Sequence, residues 1–247
     1  MRAHKQLPHR GKAKATQRKK PDTLKASKAN EIYSWDIIYL LSPIKGQYYL
    51  YLVMDIYSRK IVGWQVHDCE SSAHAADLIE DIAYREKIDK NQLVIHSDNG
   101  SPMKGATLRA KMIDLDIATS YSRHRVSNDN PYSESLFKTI KYHYSFPEKP
   151  VASLSEARIW VKGFVCWYNK EHKHSAIRFV TPNQRHNGLD MALLKNRKVI
   201  IEQAKRNYPE RWNGRKTRNL TPIEEVYLNP ITIKNGSVKS STFKKSI

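Results

Sequence analysis

Three acidic residues stand where an acid needs explaining. Asp36 lies inside "YSWDIIYL", an aromatic and β-branched run in which a buried carboxylate is costly unless something compensates it. Asp98 sits in "VIHSDNGSPMKG", where an apolar run gives out into a glycine turn. Glu134 falls in the first turn of a helix opened by Pro131. Each has an ordinary explanation alone: a charge at a strand edge, an Asp-Asn-Gly turn, a helix N-terminal acid. Together they suggest one chemistry. Three carboxylates gathered at a sheet edge cannot all stay ionised without a cation among them. Oxygen ligands suit Mg²⁺ or Mn²⁺, and two such ions about 4 Å apart suit in-line phosphoryl displacement. Asp36, Asp98 and Glu134 are therefore the candidate catalytic and metal-ligating residues. Asp55 in "LVMDIYS" competes with Asp36, but its place at a strand end favours a turn cap.

The elements that must position these acids follow from periodicity. "EIYSWDIIYLL", "QYYLYLVMDIYS" and "RKIVGWQVHD" read as three strands joined by short turns, an antiparallel meander. From Ser72 to about Glu86 the apolar residues Ala75, Ala76, Ile79, Ile82 and Ala83 recur at helical spacing, with Ser71 or Ser72 as cap. "NQLVIHS" is a fourth strand, Thr107 to Leu115 a helix and "DIATSYS" a fifth strand. The order β-β-β-α-β-α-β-α predicts an α/β fold, a mixed five-stranded sheet flanked by helices. In that order the first strand is central and the fourth pairs beside it, which brings Asp36 next to Asp98.

After the loop "RHRVSNDN", Asn130 is expected to cap a helix running from Pro131 to about Phe146. On it Glu134, Lys138 and Lys141 share one face, and Phe137, Ile140 and Tyr144 another. A long helix is expected from Ser153 to Glu171, a short one after Thr181-Pro182, and a basic one from Leu189 to Asn207. In "WYNKEHKHSAIRFVTPNQRH", His172, His174 and His186 lack cysteine or acidic companions, which argues against zinc. Tyr168, Asn169 and His174 are expected instead to fix how the long helix returns to the core.

Charge names the partner class. The 247 residues hold 43 Lys and Arg against 24 Asp and Glu, a formal +19, which points to a polyphosphate. Residues 1–27 read as a basic flexible arm, 28–188 as the core, and 189–247 as a basic helical extension and tail. Arg10 to Lys20, Lys19 and Lys20 included, and Lys195 to Arg218 carry dense positive charge with little apolar content. No apolar run is long enough to span a bilayer. The two cysteines, Cys69 and Cys166, exclude a disulfide scaffold and a zinc ribbon and fit a reduced, cytoplasmic setting.

"WDIIYL", "YLYLVMDIYSRKIVGW", "HSDNGSPMKGATL", "RVSNDNPYSESLFKTIKY" and "WYNKEHKHSAIRFVTPNQRH" closely resemble the catalytic subunit of bacterial insertion-sequence transposases. These share a retroviral-integrase-like core with an Asp, Asp, Glu triad. The resemblance is strong from Ala26 to Gly188 and weak past Trp212, and the interval from Asp98 to Glu134 is the family's. It implies a ribonuclease-H-like fold, divalent metal, and DNA strand cleavage and transfer at element ends, with Asp36, Asp98 and Glu134 as the triad. It also implies that Lys138 and Lys141 meet DNA, with Arg123, Arg125, Lys19 and Lys20 as further DNA-binding candidates. Double-stranded DNA, other copies of the chain and an upstream helix-turn-helix segment, in some members fused by frameshifting, are the expected partners. Ile38 stands where the family commonly has threonine, a packing difference. The alternatives are a ribonuclease-H-like nuclease using the same metal site and a non-catalytic DNA-binding remnant, for which the chain's short segment before the first strand speaks.

Overall fold

The computed structural model describes residues 22–43, 47–123 and 129–230. Its elements run β1 (Leu24–Ala26), β2 (Ile32–Leu41), β3 (Gln47–Asp55), β4 (Ile61–His67), α1 (Ser72–Arg85), β5 (Val94–Ser97), α2 (Ser101–Lys104) and α3 (Ala106–Asp114). They continue through β6 (Ala118–Tyr121), α4 (Pro131–Lys141), α5 (Leu154–Lys170), α6 (Pro182–His186), α7 (Asp190–Asn207) and β7 (Val226–Leu228). The mixed five-stranded sheet has the order β4-β3-β2-β5-β6, antiparallel from β4 to β2 and parallel from β2 to β6. The central strand and its parallel neighbour are those expected from the order of elements.

β2 is covered on both sides, which is why its apolar run is nearly continuous. Tyr33, Trp35 and Ile37 face α1 and α3, joining Ala75, Ile79, Ile82, Leu108 and Met112 in one core. Ile38 and Leu40 face α4 and α5, joining Leu136, Ile140, Val161 and Phe164 in another. Ser71 caps α1, accepting from the Ala73 N–H at 3.1 Å. Gly63 lets α1 approach β4, since a Cβ there would lie 2.2 Å from Ile82 Cδ1. At the far end of α5, Asn169 braces the return to the sheet by accepting from Ile61 N and donating to Ile61 O, both at 2.9 Å.

Several expectations need correction. α4 stops at Lys141, so the segment up to Phe146 leaves the helix in turns and Tyr144 is 91% exposed rather than on a packed face. Leu24–Ala26 is a strand, not part of an arm, because it pairs antiparallel with Val226–Leu228 and buries Ala26 beside Ile32 and Ile56. The boundary drawn at 188 and 189 crosses a buried ion pair, Arg185 with Asp190 at 3.1 Å, and Arg185 also donates to Ile223 O at 2.6 Å. Residues 190–228 thus share cores and hydrogen bonds with what precedes them. Among the described residues no helix is long and apolar enough to cross a membrane.

Candidate active site

Strand register brings the first two acids together. Trp35 is paired with Ser97 in the parallel β2–β5 ladder, and the next residues on the two chains are Asp36 and Asp98. Asp36 remains inside β2, opposite Leu52 of β3, while Asp98 has left β5. The third acid is delivered by a side-chain clasp. Buried Ser34 donates to Asn130 Oδ1 at 2.5 Å and shares a 2.6 Å hydrogen bond with Ser133, and Asn130 Nδ2 donates to Trp35 O at 3.5 Å. These contacts seat the first turn of α4 against β2, two residues from Asp36, and the residue after Ser133 is Glu134. Asn130 was expected to cap α4 with its side chain. It makes no such bond, because Ser34 and Trp35 take its amide instead.

Electrostatics couples the three. Burial pushes the Asp36 carboxyl up to about 7, a hydrogen bond from the Ile37 N–H at 2.8 Å pulls it back, and the charges of Asp98 and Glu134 push it up further. Asp98 Oδ1 accepts from the Ser122 hydroxyl at 2.7 Å. Having donated to Asp98, Ser122 accepts from His96 Nε2 at 3.2 Å, so the His96 proton is on Nε2 and Nδ1 accepts from Ser120 at 3.0 Å. Burial holds His96 below the usual histidine range, in keeping with this neutral form. The donor set is all carboxylate oxygen, which fits a hard divalent cation. Among the described residues no three ligating side chains already converge on one point. One oxygen each of Asp36 and Asp98 is engaged with protein, and Glu134 is exposed.

The other expected site residues are scattered in fate. Lys138 and Lys141 are exposed on the same helix as Glu134, with Phe137 half-buried and Ile140 buried. Arg123 is committed to Asp129, donating to it through Nε and Nη2 at 2.9 Å each and through its backbone N–H at 2.8 Å. Arg125, Lys19 and Lys20 lie outside the described residues. Asp55 is the turn cap expected, accepting from Tyr57 N, Ser58 N and Ser58 Oγ. Sequence reasoning missed its other partner. His186 Nδ1 lies 3.2 Å from Asp55, and its Nε2 lies 3.0 Å from Glu86, which also pairs with Lys60 at 2.8 Å. It also missed Ser34, His96 and Ser122. The signal for Ser34 and His96 was a polar residue at an inward position of an otherwise apolar strand, and Ser122, just past β6, had none.

The sequence pattern of the integrase core domain matches residues 26–127, and a second pattern of the same description matches residues 115–182. The chain therefore carries an integrase core domain. It is 28% identical over 163 residues to transposase InsF for insertion sequence IS3A of Escherichia coli (strain K12), covering 66% of this chain and 56% of that protein. A transposase for insertion sequence element IS904 of Lactococcus lactis is also 28% identical over 163 residues, covering 64% of this chain and 62% of the relative. The chain thus spans less than two thirds of the curated relatives it matches. Among solved structures, a chain of the simian T-cell lymphotropic virus intasome in complex with PP2A regulatory subunit B56 gamma superposes with a TM-score of 0.54 at 15% identity, covering 70% of this chain and 60% of that one. That likeness is one of fold.

Proposed function

We propose that this chain is the catalytic core of a transposase that cleaves and joins DNA strands using divalent metal, with Asp36, Asp98 and Glu134 holding the ions. The observation that carries this reading is the β2–β5 register that sets Asp36 beside Asp98, and it accords with an Asp36 carboxyl raised to about 7 by burial near like charges. Acids gathered at a sheet edge without an internal counter-charge call for a cation. When bound there, Mg²⁺ or Mn²⁺ supplies Lewis acidity toward a phosphate oxygen and activates the attacking water or 3′-hydroxyl. The protein's part is placement. Strand pairing fixes Asp36 beside Asp98, and the Ser34 clasp fixes Glu134. Ser122 occupies one Asp98 oxygen and leaves the other for a ligand, and neutral His96 keeps the Ser122 hydroxyl directed at Asp98. Lys138 and Lys141 take the DNA backbone beside Glu134. No side chain becomes a covalent intermediate.

Duplex DNA, both element ends and target, is the substrate, and further copies of the chain together with a helix-turn-helix segment supply end recognition. A cytoplasmic setting suits that substrate and the two free cysteines. The test supplies pre-nicked ends bearing a 3′-hydroxyl, target duplex and Mg²⁺ or Mn²⁺. Joined products are expected from the wild type and none from Asp98→Asn, while duplex binding persists in both. Wild-type joining by Asp98→Asn would sink the assignment, and fragments without joining would favour a nuclease. The remnant reading has one observation behind it, that the three acids do not yet converge. No metal-dependent product from the wild type, even with the upstream segment present, would favour it.

A further inference from the structure

We propose that the groove between α7 and residues 216–221 is a socket for a backbone phosphate of duplex DNA. The groove is a cavity of about 300 Å³. One wall is a single face of α7, where Lys198, Glu202 and Lys205 recur at helical spacing, and the other carries Lys216, Thr217 and Arg218. Its floor is apolar and fixed: Leu220 is buried, and Ile201 packs with it against Ile177, Val180 and Leu194.

The polar groups are unbalanced. Four cations meet one carboxylate, Glu202, one oxygen of which accepts from the Thr217 hydroxyl at 2.9 Å, so the groove holds three positive charges in excess. Among the described residues none of Lys198, Lys205 and Lys216 forms an ion pair with an acid, although Lys205 is half-buried. Arg218 lies over the Phe179 ring at 4.5 Å, a contact that holds its plane and leaves its charge unneutralised. A groove so rich in donors and so short of free acceptors selects a ligand of the opposite kind, negative and acceptor-rich. A phosphodiester meets that description, whereas a base edge presents donors as well as acceptors.

The socket is also built before any ligand arrives. Arg178 donates to Thr221 O at 3.1 Å, Asn219 Oδ1 accepts from Thr221 N at 2.9 Å, and Thr217 braces the second wall to α7 through Glu202. Behind it Arg178 and Phe179 both hold left-handed backbone, at φ of 61°, and Arg197 on α7 donates to Arg178 O at 2.9 Å. Two consecutive non-glycine residues in that conformation persist only where surroundings over-determine them. Here the turn is closed by its own backbone bonds, Arg178 N–H to Ser175 O, Phe179 N–H to His174 O and His174 N–H to Val180 O, and it presents its carbonyls to Arg197 on α7 from a fixed frame.

Because duplex DNA as the substrate class rests on the reading above, binding is measured apart from catalysis, in chelator, with the full chain and a duplex of arbitrary sequence. Lys198→Gln, Lys205→Gln and Lys216→Gln are combined, and Lys28→Gln, Lys87→Gln and Lys90→Gln form a control with the same loss of charge. One lost phosphate contact should lower the log–log salt slope by about 0.9 and weaken binding about eightfold at 0.1 M salt. The control should keep the wild-type slope. In the unmutated protein, amine acetylation read by mass spectrometry should show Lys198, Lys205 and Lys216 protected by duplex and Lys90 unprotected. Equal slopes for the two triple variants, absence of protection, or protection by phosphatidylserine vesicles with none by duplex would each overturn the socket. Loss of binding in a protein that never joins strands would leave the socket standing and remove the transposase reading. Strand joining with undiminished binding by the groove variant would do the reverse.

Discussion

Asp36 and Asp55 stand on adjacent strands, opposite Leu52 and Tyr33 respectively, and their surroundings are of opposite electrical character. Asp55 is wholly buried yet fully answered, by Ser58, two backbone N–H groups and His186. His186 passes the contact on to Glu86, and Glu86 to Lys60. Burial pushes the Glu86 carboxyl up, but its hydrogen bonds from His186 and Lys60 outweigh that and hold it at about 2. Burial likewise pulls His186 down, and its hydrogen bonds to Asp55 and Glu86 leave it raised on balance. At Asp36 nothing of the protein's own answers burial except one backbone N–H, and the nearest charges are of the same sign. An acid network that closes on itself serves the fold. One left open is poised for something from outside.

The largest effect is expected where the closed network is broken. His186→Ala removes the group that joins Asp55 to Glu86, leaving Asp55 only Ser58 and two backbone N–H groups and Glu86 only Lys60, and should cost about 3–5 kcal/mol, measured by urea unfolding near pH 6. A loss below about 1 kcal/mol, the level of an exposed ion pair, would erase the contrast. Next comes Asp36→Asn, whose effect should have the opposite sign. A carboxyl raised from 3.8 to about 7 binds more protons folded than unfolded, so stability falls as pH rises through that window. The amide should therefore match the wild type near pH 4 and exceed it by about 2–4 kcal/mol at pH 8 without metal. Saturating Mg²⁺ should raise the wild-type melting temperature and leave Asp36→Asn unmoved.

The same two regions set the pH profile. Glu86, held low, contributes stability that is present above about 4.5 and is lost as pH falls toward 2. His186, raised, contributes stability present below about 6.5 and lost as pH rises through its folded value. Thermal melts without metal should thus peak at about pH 4, with a decline above it made of two parts, that of Asp36 from about 4 to 7 and that of His186 above about 6.5. His186→Ala and Asp36→Asn should each remove one part, and the double variant both. The smallest effect is expected at Ser122→Ala, which frees Asp98 to swivel. Metal affinity should drop about 10–100-fold, by titration calorimetry, while unfolding shifts by only about 1 kcal/mol for the lost His96 hydrogen bond.

The sheet and the placing of Asp36 beside Asp98 were legible because they rest on local signals: strand alternation, helical spacing, and an acid just where an apolar run ends. What sequence concealed depends on distant partners. Asn130 followed by Pro131 reads as a cap, but Ser34 competes for its side chain from β2. Tyr142 to Phe146 prolong an aromatic pattern that reads as helix, though the backbone turns at His143 and again at Phe146. In sequence His186 is one scattered histidine without acidic neighbours, since its acids arrive from β3 and from the end of α1. The pairing of β1 with β7 joins two three-residue strands from opposite ends of the fold, each too short to announce itself.

That last pairing works as a buckle. Thr23 donates to Asn229 O at 2.8 Å, Leu24 sits opposite Leu228, and Tyr132 of α4 donates to Tyr227 O at 2.7 Å. Two strands far apart in sequence therefore meet at one spot, fastened to the helix that bears Glu134. A pull on either strand is felt at both and at that helix. Tension carried along the chain into the pair would reach the third acid through one short lever.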